Sequence, residues 1–260
     1  MDTQKFSQTL AGITKTHERI SRTCEVVLSW IAPLVCVVCT GPVEVMSPWP
    51  LCSACAAKLN VDGGRRCDIC GKPIISELSR CMRCRSTEVS FDVAFPLYSY
   101  TGMTQKLLIA YKVKKRRSLA NFLAKRLAPE ILARFPDYTL VPVPPRPGKL
   151  RKEGWDQVEL IAKILERRCG LPIARLLVRV KGGDEQKTLD KEGRRINVLG
   201  RYALLPRITK LGNSASNDTV PGKVILLDDI MTTGATLSEC ASVLKANGSD
   251  QVCAIVIAAD

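Results

Sequence analysis

The chain has 260 residues, of which 46% are hydrophobic and 25% are charged, and its formal net charge is +14 at pH 7. This length is sufficient for one large domain or two smaller ones, and the hydrophobic fraction excludes an intrinsically disordered chain. A positive charge of this size favours polyanionic partners, which include nucleic acid, anionic lipid and heavily phosphorylated small molecules.

The chain contains twelve cysteines, and eight of them form C-x-x-C pairs. An even number of cysteines indicates disulfides in secreted domains, but that interpretation needs an export signal. The candidate apolar stretch, residues 26–38, is too short to span a bilayer and is interrupted by Pro33. The sequence therefore predicts a cytoplasmic protein without a transmembrane segment, whose paired cysteines bind metal.

The N-terminal residues 1–33 are largely polar, with apolar residues at spacings that hint at a helix. We expect an N-terminal helical segment that docks on the rest of the protein. His17, which lies in this segment, is interpreted as a solvated side chain.

Four C-x-x-C pairs follow at nearly even spacing within residues 34–90. Each pair places two thiolates on one tight turn, and two such turns supply the four ligands of a tetrahedral Zn²⁺ site. Gly41 and Gly71 follow these turns and fit their need for a positive φ. The simplest assignment is a double zinc ribbon with two structural sites: Cys36, Cys39, Cys52 and Cys55 in the first, and Cys67, Cys70, Cys81 and Cys84 in the second. Cross-braced pairing and iron–sulfur ligation remain alternatives.

From residue 91 onward, short apolar runs alternate with helical patterns. Phe91, Val93, Phe95 and Leu97 alternate along the first predicted strand. Further strands are predicted at 139–143, 176–180, 202–205, 224–228 and 252–258, with helices over 107–111, 119–127 and 157–168. This order predicts a parallel α/β sheet that binds ligands at the C-terminal ends of its strands.

Two basic segments interrupt this pattern. Residues 112–117, with the sequence K-V-K-K-R-R, are either a solvated loop or a contact for phosphate from a small ligand or a nucleic-acid backbone. The turn Pro144-Pro145-Arg146-Pro147-Gly148 ends the second strand, and K-L-R-K follows it. A strand–turn–helix unit with Arg and Lys around the turn indicates an anion site. Residues 181–197 are polar and suit a mobile flap.

The most informative stretch is Lys223–Thr236, with the sequence K-V-I-L-L-D-D-I-M-T-T-G-A-T. Its predicted strand ends in the acidic pair Asp228 and Asp229, and a helix is predicted to begin at Leu237. The intervening loop consists of small residues: Thr232, Thr233, Gly234, Ala235 and Thr236. Free N–H groups and the helix dipole favour an anion in this loop. Paired carboxylates can accept hydrogen bonds from a sugar diol or hold Mg²⁺, so one ligand with phosphate, ribose and metal would suit the whole stretch.

This stretch resembles the 5-phosphoribosyl-1-pyrophosphate (PRPP) motif of type I phosphoribosyltransferases. The wider order of motifs is similar to the ComF family, the double-zinc-ribbon phosphoribosyltransferase-like proteins linked to DNA uptake in naturally competent bacteria. The resemblance covers residues 34–260 and rests on the cysteine pairs, F-D, V-P-V-P, G-W-D-Q, L-L-D-D-I-M-T-T-G-A-T and a Q-x-x-L motif formed by Gln186, Leu189, Arg194, Arg195, Asn197 and Val198. The chain departs from the family pattern at Asp156, where Asn is usual, and at Tyr111-Lys112-Val113, where L-K-Y is usual.

The resemblance implies a type I phosphoribosyltransferase-like parallel sheet flanked by helices over residues 91–260, preceded by the small double zinc ribbon at 34–90. Asp228 and Asp229 would bind the ribose diol and act in catalysis, and the Thr232–Thr236 loop would hold the 5′-phosphate. The Pro144–Arg146 turn would bind pyrophosphate, with Arg146 or Lys112 neutralising charge. Mg²⁺ would accompany PRPP, and the reaction would be pentosyl transfer.

The same resemblance implies single-stranded DNA and the competence machinery as partners. Two other functions remain open. One is a metabolic salvage enzyme that attaches a free nucleobase to PRPP, and the other is a PRPP-binding interaction protein without catalysis.

Overall fold

The computed structural model describes residues 34–59, 64–75, 77–180, 200–205 and 220–260. Contacts divide the chain into two compact units, residues 1–59 and 60–260. The predicted helical segment 1–33, the flap at 181–197 and the Q-x-x-L motif lie outside the described residues. Within the described ranges, none of the helices combines the length and the apolar character that a membrane span needs.

The first unit contains helix α1, Ser53–Lys58. The elements of the second unit are, in chain order, α2 Met82–Ser86, β1 Ala94–Ser99, α3 Gly102–Lys112, α4 Leu119–Arg134, β2 Thr139–Pro142, α5 Lys149–Glu153, α6 Gln157–Cys169, β3 Leu177–Arg179, β4 Tyr202–Leu204, β5 Lys223–Met231, α7 Ala235–Ala246 and β6 Gln251–Ala259.

In the described ranges, four strands form a parallel sheet in the order β1-β6-β5-β2. The two central strands are apolar because helices cover both of their faces, as parallel sheets require. One face, with Val224, Leu226 and Val252, packs in the same buried cluster as Leu237 and Leu244 of α7. Helices α4 and α6 contact each other and the strands β6, β5 and β2. The predicted parallel sheet flanked by helices is therefore confirmed.

Two strand predictions need correction. The first strand begins at Ala94, and residues 94–98 are all buried, so Phe91 and Val93 precede the strand. Strands β3 and β4 pair antiparallel in a separate two-stranded sheet, although the alternation of elements predicted parallel strands throughout.

Strand β5 is longer than its apolar run predicted. It continues through both acidic residues to Met231, which is paired with Ala259 of β6. Asp is disfavoured in strands, but pairing with an equally long neighbour overrides this preference. The acidic pair therefore lies within the paired part of the strand, which fixes both side-chain directions.

Candidate functional site

The first cysteine cluster lies within the first unit. Cys36, Cys39, Cys52 and Cys55 bring their sulfur atoms within 4.8 Å of one another. The Sγ atoms of Cys39 and Cys52 are 3.8 Å apart, and tetrahedral Zn–S bonds of about 2.3 Å would separate two sulfurs by about 3.8 Å. The positive φ of this turn falls on Thr40, at 62°, and not on the predicted Gly41. The reason is position, since Thr40 directly follows the second cysteine of its pair.

The second cluster belongs to the second unit and has the same geometry. Cys67, Cys70, Cys81 and Cys84 also lie within 4.8 Å of one another, with 3.7 Å between the sulfurs of Cys70 and Cys81. Gly71 directly follows its pair and has the predicted positive φ of 65°. In the described part of the chain, consecutive cysteine pairs come together, as the simplest assignment predicted, and cross-braced pairing does not occur.

The electrostatics of both clusters favour a divalent cation. Burial raises the pKa of Cys55 to about 12 and that of Cys70 to about 11. Neighbouring thiols also raise the pKa of Cys55, whereas at Cys70 the thiol of Cys67 raises the pKa and that of Cys84 lowers it. Burial opposes ionisation of Cys36 and Cys67 too, but hydrogen bonds from nearby backbone N–H groups lower the pKa of each to about 6. Zn²⁺ stabilises all four thiolates of such a site, so the residues fit two structural zinc ions.

A separate cavity of about 690 Å³ lies at the C-terminal ends of β2 and β5. This is the edge at which open α/β sheets bind ligands. Predicted site residues that line the cavity are Pro144, Pro145, Arg146, Asp228, Asp229 and Thr236. Further polar residues that line it are Lys149, Lys152, Glu153, Asp156, Arg179 and Tyr202. The structure thus brings the acidic pair and the predicted pyrophosphate turn to one space.

The acidic pair has unequal surroundings. Lys112 Nζ lies 2.7 Å from Asp229 Oδ2, and the two side chains are 32% and 15% exposed. Burial, with Asp229 next to it, raises the pKa of Asp228 to about 7, although a hydrogen bond from the Asp229 N–H and the charge of Lys112 act in the opposite direction. Lys112, predicted to neutralise pyrophosphate, thus pairs with a carboxylate in this structure.

The loop between β5 and α7 contains the rest of the predicted phosphate site. Gly234 has φ 75°, which only glycine adopts without strain, and a Cβ there would lie 3.4 Å from the Phe91 ring. Ala235 N–H donates to Thr233 Oγ1 at 3.3 Å. Among the described residues, the N–H groups of Thr233, Gly234 and Thr236 have no protein acceptor. The loop therefore offers free donors at the N-terminus of a 12-residue helix.

The loop residues differ in what they face. Thr236 lines the large cavity, whereas Thr232, Thr233 and Gly234 line a smaller cleft of about 60 Å³ with residues of the second ribbon. Two of those ribbon residues, Lys72 and Arg83, donate to Thr232 O at 3.0 and 3.2 Å.

The side chain of Asp156 has partners within the protein. Its Oδ1 accepts from Glu159 N–H at 2.8 Å and so caps helix α6, and its Oδ2 lies 3.0 Å from Lys149 Nζ. An acidic residue can therefore lie beside the expected anion site, because Lys149 and the N-terminus of α6 compensate its negative charge. Lys149 also donates to Gln157.

Sequence reasoning did not single out Arg179 and Tyr202. They come from the two strands of the separate antiparallel sheet, and the Arg179 guanidinium lies 5.3 Å from the centre of the Tyr202 ring. A basic residue at the end of a short apolar strand was a weak signal for this position. Lys72 and Arg83 were also not predicted as site residues. They lie close to zinc ligands in the sequence, and those ligands were expected to have a structural role.

The basic run after α3 is exposed. Lys114, Lys115, Arg116 and Arg117 all lie on the surface, and Arg117 is 5.3 Å from the centre of the Trp155 ring. Exposure fits both interpretations of this run, a solvated loop and a contact for phosphate.

Comparisons with known proteins identify one domain model and several relatives that match this chain. A model of the double zinc ribbon domain matches residues 27–85. The chain is 24% identical to competence protein ComFC of Bacillus subtilis over 84% of its own length and 91% of that protein. It is 25% identical to competence protein F of Haemophilus influenzae, over 84% and 93%. It is also 25% identical to the DNA utilization protein YhgH of Escherichia coli K12, over 85% and 94%.

Solved structures are more distant. Glutamine PRPP amidotransferase from B. subtilis is 18% identical over 54% of this chain and 26% of that one, with a TM-score of 0.37. Hypoxanthine phosphoribosyltransferase from Staphylococcus aureus is 16% identical over 54% and 62%, with a TM-score of 0.30. Structural similarities with TM-scores this low carry no information about the activity of this chain. The chain is thus similar, over most of its length, to competence and DNA utilization proteins, and it combines a match to the double zinc ribbon domain with a parallel sheet flanked by helices.

Proposed function

We propose that this chain binds PRPP together with Mg²⁺ in the cavity at the end of β5 and acts in DNA uptake as a phosphoribosyltransferase-type protein. The observation that carries the proposal is the arrangement of the cavity. The acidic pair, the Pro144–Arg146 turn and Thr236 line one space, although they come from segments far apart in sequence.

The acidic pair suits a ribose. Ionised carboxylates accept hydrogen bonds from two neighbouring hydroxyls, and the strand fixes the direction of both side chains. Lys112 contacts one carboxylate oxygen of Asp229, so a ribose hydroxyl would compete with it for that oxygen. Lys112 would then be free to approach a phosphate oxygen of the ligand.

The two ends of PRPP would meet donors of different kinds. The 5′-phosphate would accept from the free N–H groups of the loop at the start of α7, where the helix dipole favours negative charge. The pyrophosphate would lie against the turn at Arg146, where Lys149 and Lys152 also line the cavity. Mg²⁺ bound with PRPP supplies neutralisation of the pyrophosphate oxygens.

Catalysis would be pentosyl transfer. As pyrophosphate departs from C1, positive charge develops on the ribose, and Asp229 would stabilise that charge. The salvage alternative and the non-catalytic alternative share the PRPP site. They differ in whether the bound PRPP reacts and in the acceptor of the phosphoribosyl group. The double zinc ribbon favours a role in DNA uptake over salvage, because a salvage enzyme of this fold does not need it.

Calorimetric titration of Mg–PRPP tests the site. Asp228→Asn with Asp229→Asn should abolish binding, because neutral amides compete poorly for the ribose diol and leave Lys112 without its partner. The matched control removes two exposed carboxylates elsewhere, by Asp68→Asn with Asp137→Asn, and should bind as the wild type does. Unchanged affinity in the Asp228/Asp229 variant would reject the site. A PRPP-turnover assay across nucleobases and other nucleophiles then separates the three functions.

A further inference from the structure

The second zinc ribbon (described residues 64–75 and 77–90) holds the loop expected to bind the 5′-phosphate. Lys72 Nζ and Arg83 Nη1 both donate to the main-chain oxygen of Thr232, at 3.0 and 3.2 Å. Lys72 follows the first cysteine pair of the ribbon, and Arg83 lies between the two cysteines of the second pair. Each of the two cysteine turns of this site therefore contributes one cationic side chain that donates to the same carbonyl oxygen.

These two hydrogen bonds fix the direction in which the next backbone N–H of the loop points. In a planar trans peptide the carbonyl and the following N–H point in opposite directions. When Thr232 O faces the ribbon, the N–H of Thr233 faces away from it. That N–H has no protein acceptor among the described residues. Holding the carbonyl thus presents a free donor on the side of the loop away from the ribbon.

The contact also places positive charge beside the loop. Two cations within 3.2 Å of its first carbonyl add to the positive end of α7. A phosphate in the loop would gain from this potential without touching either side chain, because the two cations lie well within one screening length of the loop, about 8 Å at physiological ionic strength.

The ribbon can act as a fixed support because it is anchored to the sheet. Cys67 and Cys70 belong to the same buried cluster as Met231 and Leu237. Ala94 N–H donates to Ile69 O at 2.7 Å, which joins the ribbon backbone to the residue that begins β1. A zinc ion would hold the two cysteine turns, and with them Lys72 and Arg83, in a fixed relation to the loop.

We propose that Lys72 and Arg83 are positioning residues for the 5′-phosphate, so that the second ribbon serves the PRPP site as well as the stability of the fold. This inference rests on the proposed function. A purely structural role for the two contacts, tying the ribbon to the sheet, predicts a change in stability and no selective change in phosphate binding.

The test uses two probes that load opposite ends of the site, ribose 5-phosphate and Mg–pyrophosphate, in calorimetric titrations of the full chain. Lys72→Met with Arg83→Met should weaken binding of ribose 5-phosphate about tenfold and change binding of Mg–pyrophosphate less than about twofold. Arg80→Met with Arg85→Met removes the same charge from exposed positions of the same ribbon and should change neither. Lys72→Arg with Arg83→Lys keeps both donors and should restore binding.

Two further measurements report on structure. Elemental analysis for zinc shows whether the ribbon is intact, and the amide NMR shifts of Thr233 and Gly234 show whether the loop has moved.

The outcomes separate this inference from the proposed function. If the wild type binds neither probe nor Mg–PRPP, the proposed function is wrong and the inference is overturned with it. If the wild type binds Mg–PRPP and the Lys72/Arg83 variant binds ribose 5-phosphate equally well, only the inference is overturned. An equal loss for both probes, or the same loss in the Arg80/Arg85 control, would also overturn it, because general charge attraction would then explain the effect.

Discussion

Asp228 and Asp229 are adjacent in the chain, but their side chains have different partners. Asp229 forms an ion pair with Lys112 at 2.7 Å. Asp228 is half-buried, and its desolvation together with the adjacent Asp229 carboxylate raises its pKa from 3.8 to about 7. The residue is therefore about half protonated at neutral pH. Ionisation of Asp228 beside Asp229 is unfavourable, and a ligand with a diol would stabilise the ionised form by donating hydrogen bonds to it.

The raised pKa of Asp228 predicts a pH-dependent effect of Asp228→Asn on stability. The folded chain binds this proton more tightly than the unfolded chain, so the contribution of Asp228 is fully present below about pH 4 and is lost as pH rises towards 7 and above. Asn does not titrate, so the variant should gain about 1–2 kcal/mol relative to the wild type between about pH 4 and about pH 8, after allowance for solvent screening. Denaturant unfolding of both proteins across this range measures the difference. A difference that stays constant with pH would contradict the assignment.

At the scale of elements, the second ribbon and strand β1 are packed as one body. A Cβ added to Gly71 would lie 2.3 Å from Ala94 O and 2.5 Å from Pro96 Cδ. Arg66 donates to Pro96 O at 2.8 Å, and its guanidinium lies 5.0 Å from the centre of the Phe95 ring. The cysteine turn therefore meets the strand at backbone distance, which only glycine permits.

This contact predicts that Gly71→Ala destabilises the second unit strongly. The positive φ costs about 1 kcal/mol for any other residue, and displacing a backbone oxygen adds to it, so we expect a total loss of about 2–4 kcal/mol. Gly170→Ala is the matched control, since Gly170 has φ 64° but no atom within 4 Å of an added Cβ. It should lose about 1 kcal/mol. Equal losses in denaturant unfolding of the two variants would show that Gly71 is not held against β1.

At the scale of the whole molecule, motifs with fixed local spacing were predictable and contacts between distant segments were not. The C-x-x-C spacing correctly predicted both cysteine clusters, and the apolar runs predicted the strands of the parallel sheet. The contact between Lys72 and Thr232 joins residues 160 positions apart. No local pattern encodes such a contact, because it depends on the order of strands in the sheet. The same holds for Arg179 at the cavity and for the extension of β5, which its pairing with β6 decides.

The surplus of positive charge is a property of the whole molecule, and the exposed run after α3 is its most concentrated part. The formal net charge of +14 favours a polyanion, and competence proteins are among the relatives of the chain. These observations support the proposal that the chain contacts single-stranded DNA through phosphates.

If this contact exists, neutralising the run should lower both the affinity for single-stranded DNA and its dependence on salt. Lys114→Gln, Lys115→Gln and Arg116→Gln together remove three exposed cations, which should reduce the slope of log K against log salt by about 2. Lys163→Gln, Arg167→Gln and Arg168→Gln remove three exposed cations from α6 and serve as the control of equal charge. Fluorescence anisotropy at several salt concentrations gives both slopes. Binding that does not depend on salt, or equal slopes for the two triple variants, would reject this surface.

A crystal structure of the full chain with Mg–PRPP shows most directly where PRPP binds. We predict the 5′-phosphate at the N–H groups of Thr233, Gly234 and Thr236, the ribose hydroxyls on Asp228 and Asp229, and the pyrophosphate beside Arg146. Well-ordered crystals soaked at saturating Mg–PRPP that show the ligand elsewhere, or show no ligand in this cavity, would contradict the account.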